Sequence, residues 1–193
     1  MDEELEIALQ VTRVFEALDV PYLVGGSLAS SYHGLPRSTQ DADLVADLTS
    51  SHVPLLVSAL RDSFYLDEAA IRDAVERRST FNLIHLETMF KVDVFVARND
   101  AATRQEMERR RKRILPGEPE VEVVFASPED VVIQKLHWYR LGDHVSERQW
   151  ADVMGVLKVR GKQLDLAYMR ELAAEMGVND LLESALREAR LQL

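Results

Sequence analysis

The stretch YLVGGSLASSYHGLPRSTQDADLVA (22–46) decides how the chain is read. Tyr22, Leu23 and Val24 form a short apolar run, which predicts a strand. Gly25 and Gly26 break it, and residues 27–32 suit a short helix with Ser27 as its N-cap. Gly34, Pro36 and the polar run to Gln40 predict a loop. From Asp41 to Leu48 apolar and other residues alternate, as in a second strand. Strand, glycine turn, helix and loop thus deliver Asp41 and Asp43 onto one strand. Side chains two apart share a face, ~7 Å from each other along the chain.

A third acid has a similar setting. In FKVDVFVA (90–97), Val92 and Val94 point away from Asp93, which leaves it on the opposite face of another strand. If that strand neighbours the first, three carboxylates converge. Close carboxylates raise one another's pKa values, so a cation is needed to stabilise the set. Magnesium, or manganese in its place, is the natural choice, because hard divalent ions take carboxylates together with substrate phosphates. An isolated aspartate on a strand most often just faces water. Aspartate is nevertheless depleted in strands, so Asp-Ala-Asp inside an apolar run carries information.

The glycine turn has a chemical reading as well. Glycine permits close backbone approach, and a helix N-terminus presents N–H groups to an anion. Gly25, Gly26 and the Ser27 hydroxyl are therefore candidate phosphate contacts. Arg37 and Thr39 lie just before the acid pair, and Arg37 suits a phosphate clamp. Lys135 stands alone in a mostly apolar helical run, where it either faces solvent or meets a phosphate. Asp152 reads as a helix-surface residue first and as a site residue second. The histidines show no metal-ligand spacing, and Trp138, Tyr139 and Trp150 read as packing residues.

Beyond this region the pattern predicts helices over residues 3–19, 49–62 with Thr49 as cap, 67–77 and 100–113. Further strands are expected over 80–86, 90–97 and 121–125, with a hairpin turn at Glu87 and Thr88. From residue 127 to 193 the pattern is helical, broken near Gly142, Gly161 and Gly177. The expected class is α/β (α+β): a mixed sheet with flanking helices over 1–126, then a helical bundle over 127–193.

Composition limits the partners. Net charge is −10 and hydrophobic residues make up 47%. An acidic chain is a poor general binder of nucleic acid. The run RQEMERRRKR (104–113) opposes that field, and Arg109, Arg110, Arg111, Lys112 and Arg113 are a candidate basic edge for an RNA such as tRNA. The absence of cysteine excludes disulfides and cysteine-ligated metal. An acidic, amphipathic start and the lack of a long apolar run predict a cytoplasmic protein with no membrane partner.

LVGGS (23–27), followed by RSTQDADL (37–44) and by Asp93, resembles the signature of the nucleotidyltransferase superfamily. More narrowly, the chain resembles AbiEii-type toxin nucleotidyltransferases of bacteria. They share an Arg-x-Thr-x-Asp-x-Asp run, and they tend to carry a Ser-Pro-Glu-Asp segment leading to Lys-Leu and then a helix with an aspartate. Here those are SPED (127–130), Lys135 with Leu136, and RQWADV (148–153). The likeness spans roughly residues 20–160. Ala42 is smaller than the residue usual between the acids, and QWA (149–151) stands where relatives often have a Lys-Asp pair.

The resemblance implies metal-dependent transfer of a nucleoside monophosphate from an NTP to a hydroxyl of RNA, protein or a small molecule. Asp41, Asp43 and Asp93 would be catalytic and metal-binding. Gly25, Gly26, Ser27, Arg37, Thr39 and Lys135 would bind nucleotide, with Asp152 nearby. It also implies a toxin–antitoxin setting with a cognate antitoxin, and self-association is compatible with it. The competing expectation is a non-catalytic module that keeps the fold and binds a nucleotide or a partner.

Overall fold

The structure is a computed structural model that describes residues 3–115 and 120–190. In chain order the elements are α1 (Glu3–Ala17), β1 (Tyr22–Val24), α2 (Gly26–His33), β2 (Asp41–Ala46), α3 (Val53–Leu60), β3 (Phe64–Tyr65), α4 (Glu68–Arg77) and β4 (Thr80–His85). They continue with β5 (Lys91–Val96), α5 (Ala101–Arg109), β6 (Arg111–Leu115), β7 (Val121–Phe125), α6 (Pro128–Leu141) and α7 (Glu147–Arg160). A short 3-10 turn (Gly161–Gln163), α8 (Leu166–Glu175) and α9 (Asn179–Glu188) complete the chain. The class is mixed α/β, as expected.

The chain forms two compact units. The first comprises residues 1–25 and 39–125, the second residues 26–38 and 126–193. The first holds a seven-stranded sheet in the order β3-β4-β5-β2-β1-β7-β6. β2 runs parallel to β5 and β1 parallel to β7, while the other neighbours are antiparallel. One face of the sheet is core. Ala42, Leu44 and Ala46 of β2, Val92, Val94 and Val96 of β5, and Phe81 and Leu83 of β4 are all buried. α1 packs on β2, and α4 on β4. α1 brings Ile7, Leu9, Val11 and Phe15 to that core, and the Phe15 and Tyr22 rings meet at 6.0 Å between centroids.

The second unit is helical. α6 packs against α7 and α8, and α2, from far earlier in the chain, packs against both α6 and α7. The approach of α2 to α7 is close enough to require glycine. A Cβ on Gly34 would come within 2.7 Å of the Val156 nitrogen and 2.8 Å of the Gly155 carbonyl carbon. Both are backbone atoms that cannot swing aside. His33, buried at the end of α2, bonds through Nε2 to the Ala126 carbonyl at 2.8 Å. Ser127 caps α6, its hydroxyl accepting from the Asp130 backbone N–H.

Several local expectations need correction. The helix expected over residues 100–113 ends at Arg109, and Arg111–Leu115 forms β6 instead. Strand pairing decides this, because β6 lies along β7 with Arg111 opposite Phe125 and Leu115 opposite Val121. β3, only two residues long, was also not expected, and it exists by pairing with β4. Helix α3 starts at Val53 rather than at Thr49, whose hydroxyl lies 2.9 Å from the Ser51 hydroxyl. Ser27 is no N-cap. It lies inside α2, which begins one residue earlier at Gly26 with φ 53°, a left-handed angle suited to glycine. The last three residues of the helical pattern over 127–193 lie outside the described residues.

Gly34→Ala should lower stability by roughly 1–3 kcal/mol, the usual cost of forcing an extra methyl into close packing. Urea unfolding followed by far-UV circular dichroism measures it. An unchanged midpoint would show that α2 and α7 have room to separate.

Candidate active site

The first unit carries the acids. β2 and β5 pair in register, with Asp43 opposite Asp93 and Asp41 opposite Lys91. Burial alternates strictly along both strands, so Asp41, Asp43, Lys91 and Asp93 all lie on the face opposite the core. On the other side of β5, Asn82 of β4 is opposite Asp93. On the other side of β2, the Gly25 N–H donates to the Asp43 carbonyl at 2.8 Å. One row across the sheet is therefore Asn82, Asp93, Asp43 and Gly25. The Thr39 hydroxyl lies 3.2 Å from Asp41 Oδ1 and 3.1 Å from its carbonyl oxygen, so it orients the first acid.

A cation already stands against this face. Lys91 Nζ lies 2.6 Å from Asp93 Oδ2 and 4.0 Å from Asp41 Oδ2. Its hydrogen bond to Asp93, with the charges of Asp93, Asp41 and Asp43, holds the ammonium above its ordinary pKa against a smaller opposing effect of burial. The three carboxylates suit a hard divalent ion in kind. With Lys91 among them, no group of three or more acid or histidine side chains is drawn together tightly enough to hold a metal ion, among the described residues.

The second unit carries the basic residues. Arg37 grips Asp152 with two parallel bonds, Nε to Oδ1 at 2.7 Å and Nη2 to Oδ2 at 2.8 Å. Lys135 Nζ sits 2.9 Å from the same Oδ2. The Ser27 hydroxyl accepts from Arg37 Nη2 at 2.8 Å and from Lys135 Nζ at 3.2 Å. Two cations thus share one carboxylate. Ser27 uses its lone pairs on them and keeps its proton to donate. This arrangement can receive an anion.

One side chain differs from expectation. Asp152 is no surface residue: its side chain is 4% exposed. Lys135 does not face solvent either, at 6% exposure. Burial raises the pKa of Asp152, but the Arg37 hydrogen bonds and the nearby Lys135 charge outweigh it and hold the carboxyl below its ordinary 3.8. Sequence reasoning overlooked Lys91 and Asn82. Lys91 was legible, because it lies two residues before Asp93 and so shares its face. Asn82 could be placed only by knowing the register.

No protein-family model matches the chain, and no curated protein matches it. Solved structures of nucleotidyltransferases resemble it. The lincomycin-bound lincosamide antibiotic adenylyltransferase LnuA matches at 13% identity and a TM-score of 0.53, covering 82% of this chain and 98% of that one. An antigenic nucleotidyltransferase-like protein from Paracoccidioides brasiliensis matches at 15% identity and a TM-score of 0.54, covering 96% and 93%. ANT(2'')-Ia in complex with adenylyl-2''-tobramycin matches at 12% identity and a TM-score of 0.50, covering 91% and 97%. At such identities the likeness is one of fold.

Asp152→Asn should destabilise the protein by roughly 3–5 kcal/mol, because removing one partner strands buried charge. The pH dependence follows from the depressed pKa. The stability that Asp152 contributes is present above its unfolded value near 3.8 and is lost as pH falls through the lower folded value. Urea midpoints measured between pH 6 and pH 3 should show the wild type beginning to lose this increment below about pH 3.8 and the variant lacking it throughout. Parallel curves for the two proteins would contradict the assignment.

Proposed function

We propose that the chain is a metal-dependent nucleotidyltransferase that moves a nucleoside monophosphate from an NTP to a hydroxyl group. The observation that carries this reading is the row of carboxylates on paired strands of a nucleotidyltransferase-like fold, Asp43 opposite Asp93 with Asp41 two residues along. Among possible acceptors, a small-molecule hydroxyl has the better support. Of the fold neighbours, LnuA is a lincosamide antibiotic adenylyltransferase in a lincomycin-bound form, and ANT(2'')-Ia is in complex with adenylyl-2''-tobramycin. The RNA reading rested on a continuous basic edge. Within β6, Arg111 and Arg113 alternate with Lys112 across the two sheet faces, and Lys112 pairs with Glu122 at 2.7 Å. A toxin role with a cognate antitoxin rests on the sequence resemblance to AbiEii-type proteins.

Asp41, Asp43 and Asp93 would hold magnesium or manganese, which when bound supplies charge neutralisation for the phosphates and for departing pyrophosphate. Asp93, the least exposed acid of the two that contact Lys91, is suited to accept the proton of the attacking hydroxyl. The Ser27 proton and the cationic groups of Arg37 and Lys135 suit the triphosphate, with the N–H groups at Gly25 and Gly26 beside them in sequence. Thr39 acts by orienting Asp41, and Asp152 by holding Arg37 and Lys135 in place. The acceptor oxygen attacks the α-phosphorus, the bond to the bridging oxygen breaks, and pyrophosphate leaves.

Incubation with α-labelled NTPs and magnesium or manganese, in a lysate and with a panel of hydroxyl-bearing small molecules, should transfer label. The double change Asp41→Asn, Asp43→Asn should abolish transfer while leaving the fold intact. Retained transfer places the chemistry elsewhere. No transfer combined with saturable NTP binding supports a non-catalytic nucleotide-binding module.

Lys135→Ala should weaken NTP affinity by about tenfold, the scale of one charge-assisted hydrogen bond. Isothermal titration with a non-hydrolysable NTP measures it. Unchanged affinity would confine Lys135 to supporting Asp152.

A further inference from the structure

We propose that Lys91 is the resident counterion of the acid face, so that a divalent cation binds there by displacing its ammonium. The proposal rests on the reading of Asp41, Asp43 and Asp93 as metal ligands and assigns a role to a residue outside that set.

The geometry is specific. Lys91 lies directly opposite Asp41 across the β2–β5 pair and two residues before Asp93 on its own strand. From there its ammonium touches Asp93 at 2.6 Å and reaches Asp41 at 4.0 Å, and the charge of Asp43 acts on it too. The Asp93 side chain is only 14% exposed, so water gives its charge limited relief. Carboxylates gathered on one face repel one another. A single ammonium offsets part of that repulsion, touching Asp93 and reaching Asp41.

A lysine suits this task better than an arginine. Its charge is compact and sits on a flexible four-carbon stem, so it can leave without breaking a two-bond fork. Other exposed ion pairs of the first unit, such as Arg72 with Glu68 and Lys112 with Glu122, join one cation to one carboxylate. Lys91 instead meets the charges of three carboxylates, Asp93, Asp41 and Asp43. A divalent ion carries twice its charge, so it can replace the ammonium at the cost of displacing it. Lys91 therefore lowers the metal affinity of the free protein and holds its acids in place before metal arrives.

The test is direct titration of the full chain with manganese, reading free ion by electron paramagnetic resonance. Wild type, Lys91→Met, Lys91→Arg and Asp93→Asn are compared, with Lys91→Gln replacing Lys91→Met if the latter fails to fold. Removing the competing charge should tighten manganese binding by about tenfold, the order expected for one unit charge ~4 Å away in a partly exposed site. Lys91→Arg should not tighten it, and Asp93→Asn should weaken it. Equal or weaker manganese affinity in a folded Lys91→Met overturns the proposal.

If neither wild type nor Lys91→Met binds manganese, the metal reading of the acid face has failed. The counterion role is then judged by metal-free thermal melts at low and high salt. A lower melting temperature for Lys91→Met at low salt, with a gap that narrows as salt screens the acids, sustains it. Equal melting temperatures overturn it.

Discussion

The parallel, in-register pairing of β2 with β5 is the constraint on which the first unit depends. It sets Asp43 beside Asp93 on one face and, by the same alternation, Leu44 beside Val94 on the other. The two requirements cannot be separated, because side chains along a strand alternate with period two. A slip of one residue would carry the aspartates into the core and the valines into water. The hydrophobic face thereby enforces an arrangement of like charges that would not form by itself. Lys91, delivered by the same register, supplies the opposing charge.

The second unit meets a related constraint by different means. Asp152 is buried among helices, and a buried carboxylate is tolerated only when paired and hydrogen-bonded. Arg37 supplies a two-bond fork and Lys135 a point charge. Arg37 reaches Asp152 because the segment carrying it follows α2, and α2 packs closely on α7 at Gly34. The close approach is thus part of the ion cluster: a wider spacing would carry Arg37 away from Asp152. Compact packing and charge pairing support each other here.

The basic run at residues 109–113 shows how local pattern and tertiary pairing compete. Helical propensity accounts for α5 through Arg109. Beyond it, ladder hydrogen bonds to β7 favour an extended chain, and the basic side chains divide between two faces. Charged side chains on an edge strand such as β6 also oppose pairing with other chains. The same residues in one helix would have been spread around its circumference, so the surface that such a run presents depends on the secondary structure it adopts.

Much of the first unit was legible in the sequence. The apolar run before Gly25, the Asp-Ala-Asp alternation and Val-Asp-Val around Asp93 each contain their own periodicity, so strand, turn and face follow from local sterics. The nucleotidyltransferase-like class follows from their order. Ser27, Arg37 and Lys135 were identifiable as a residue set, but their mutual geometry was not. What required tertiary structure was everything decided by partners distant in sequence. Asn82 gains its place from register, β3 and β6 exist only through pairing, and α2 belongs with helices that begin about a hundred residues later. Asp152 looked like a surface residue because helical spacing reports which residues share a face and not what covers that face. Burial is a property of the packed chain, and for a charged group it turns on whether the fold brings a partner within hydrogen-bonding distance.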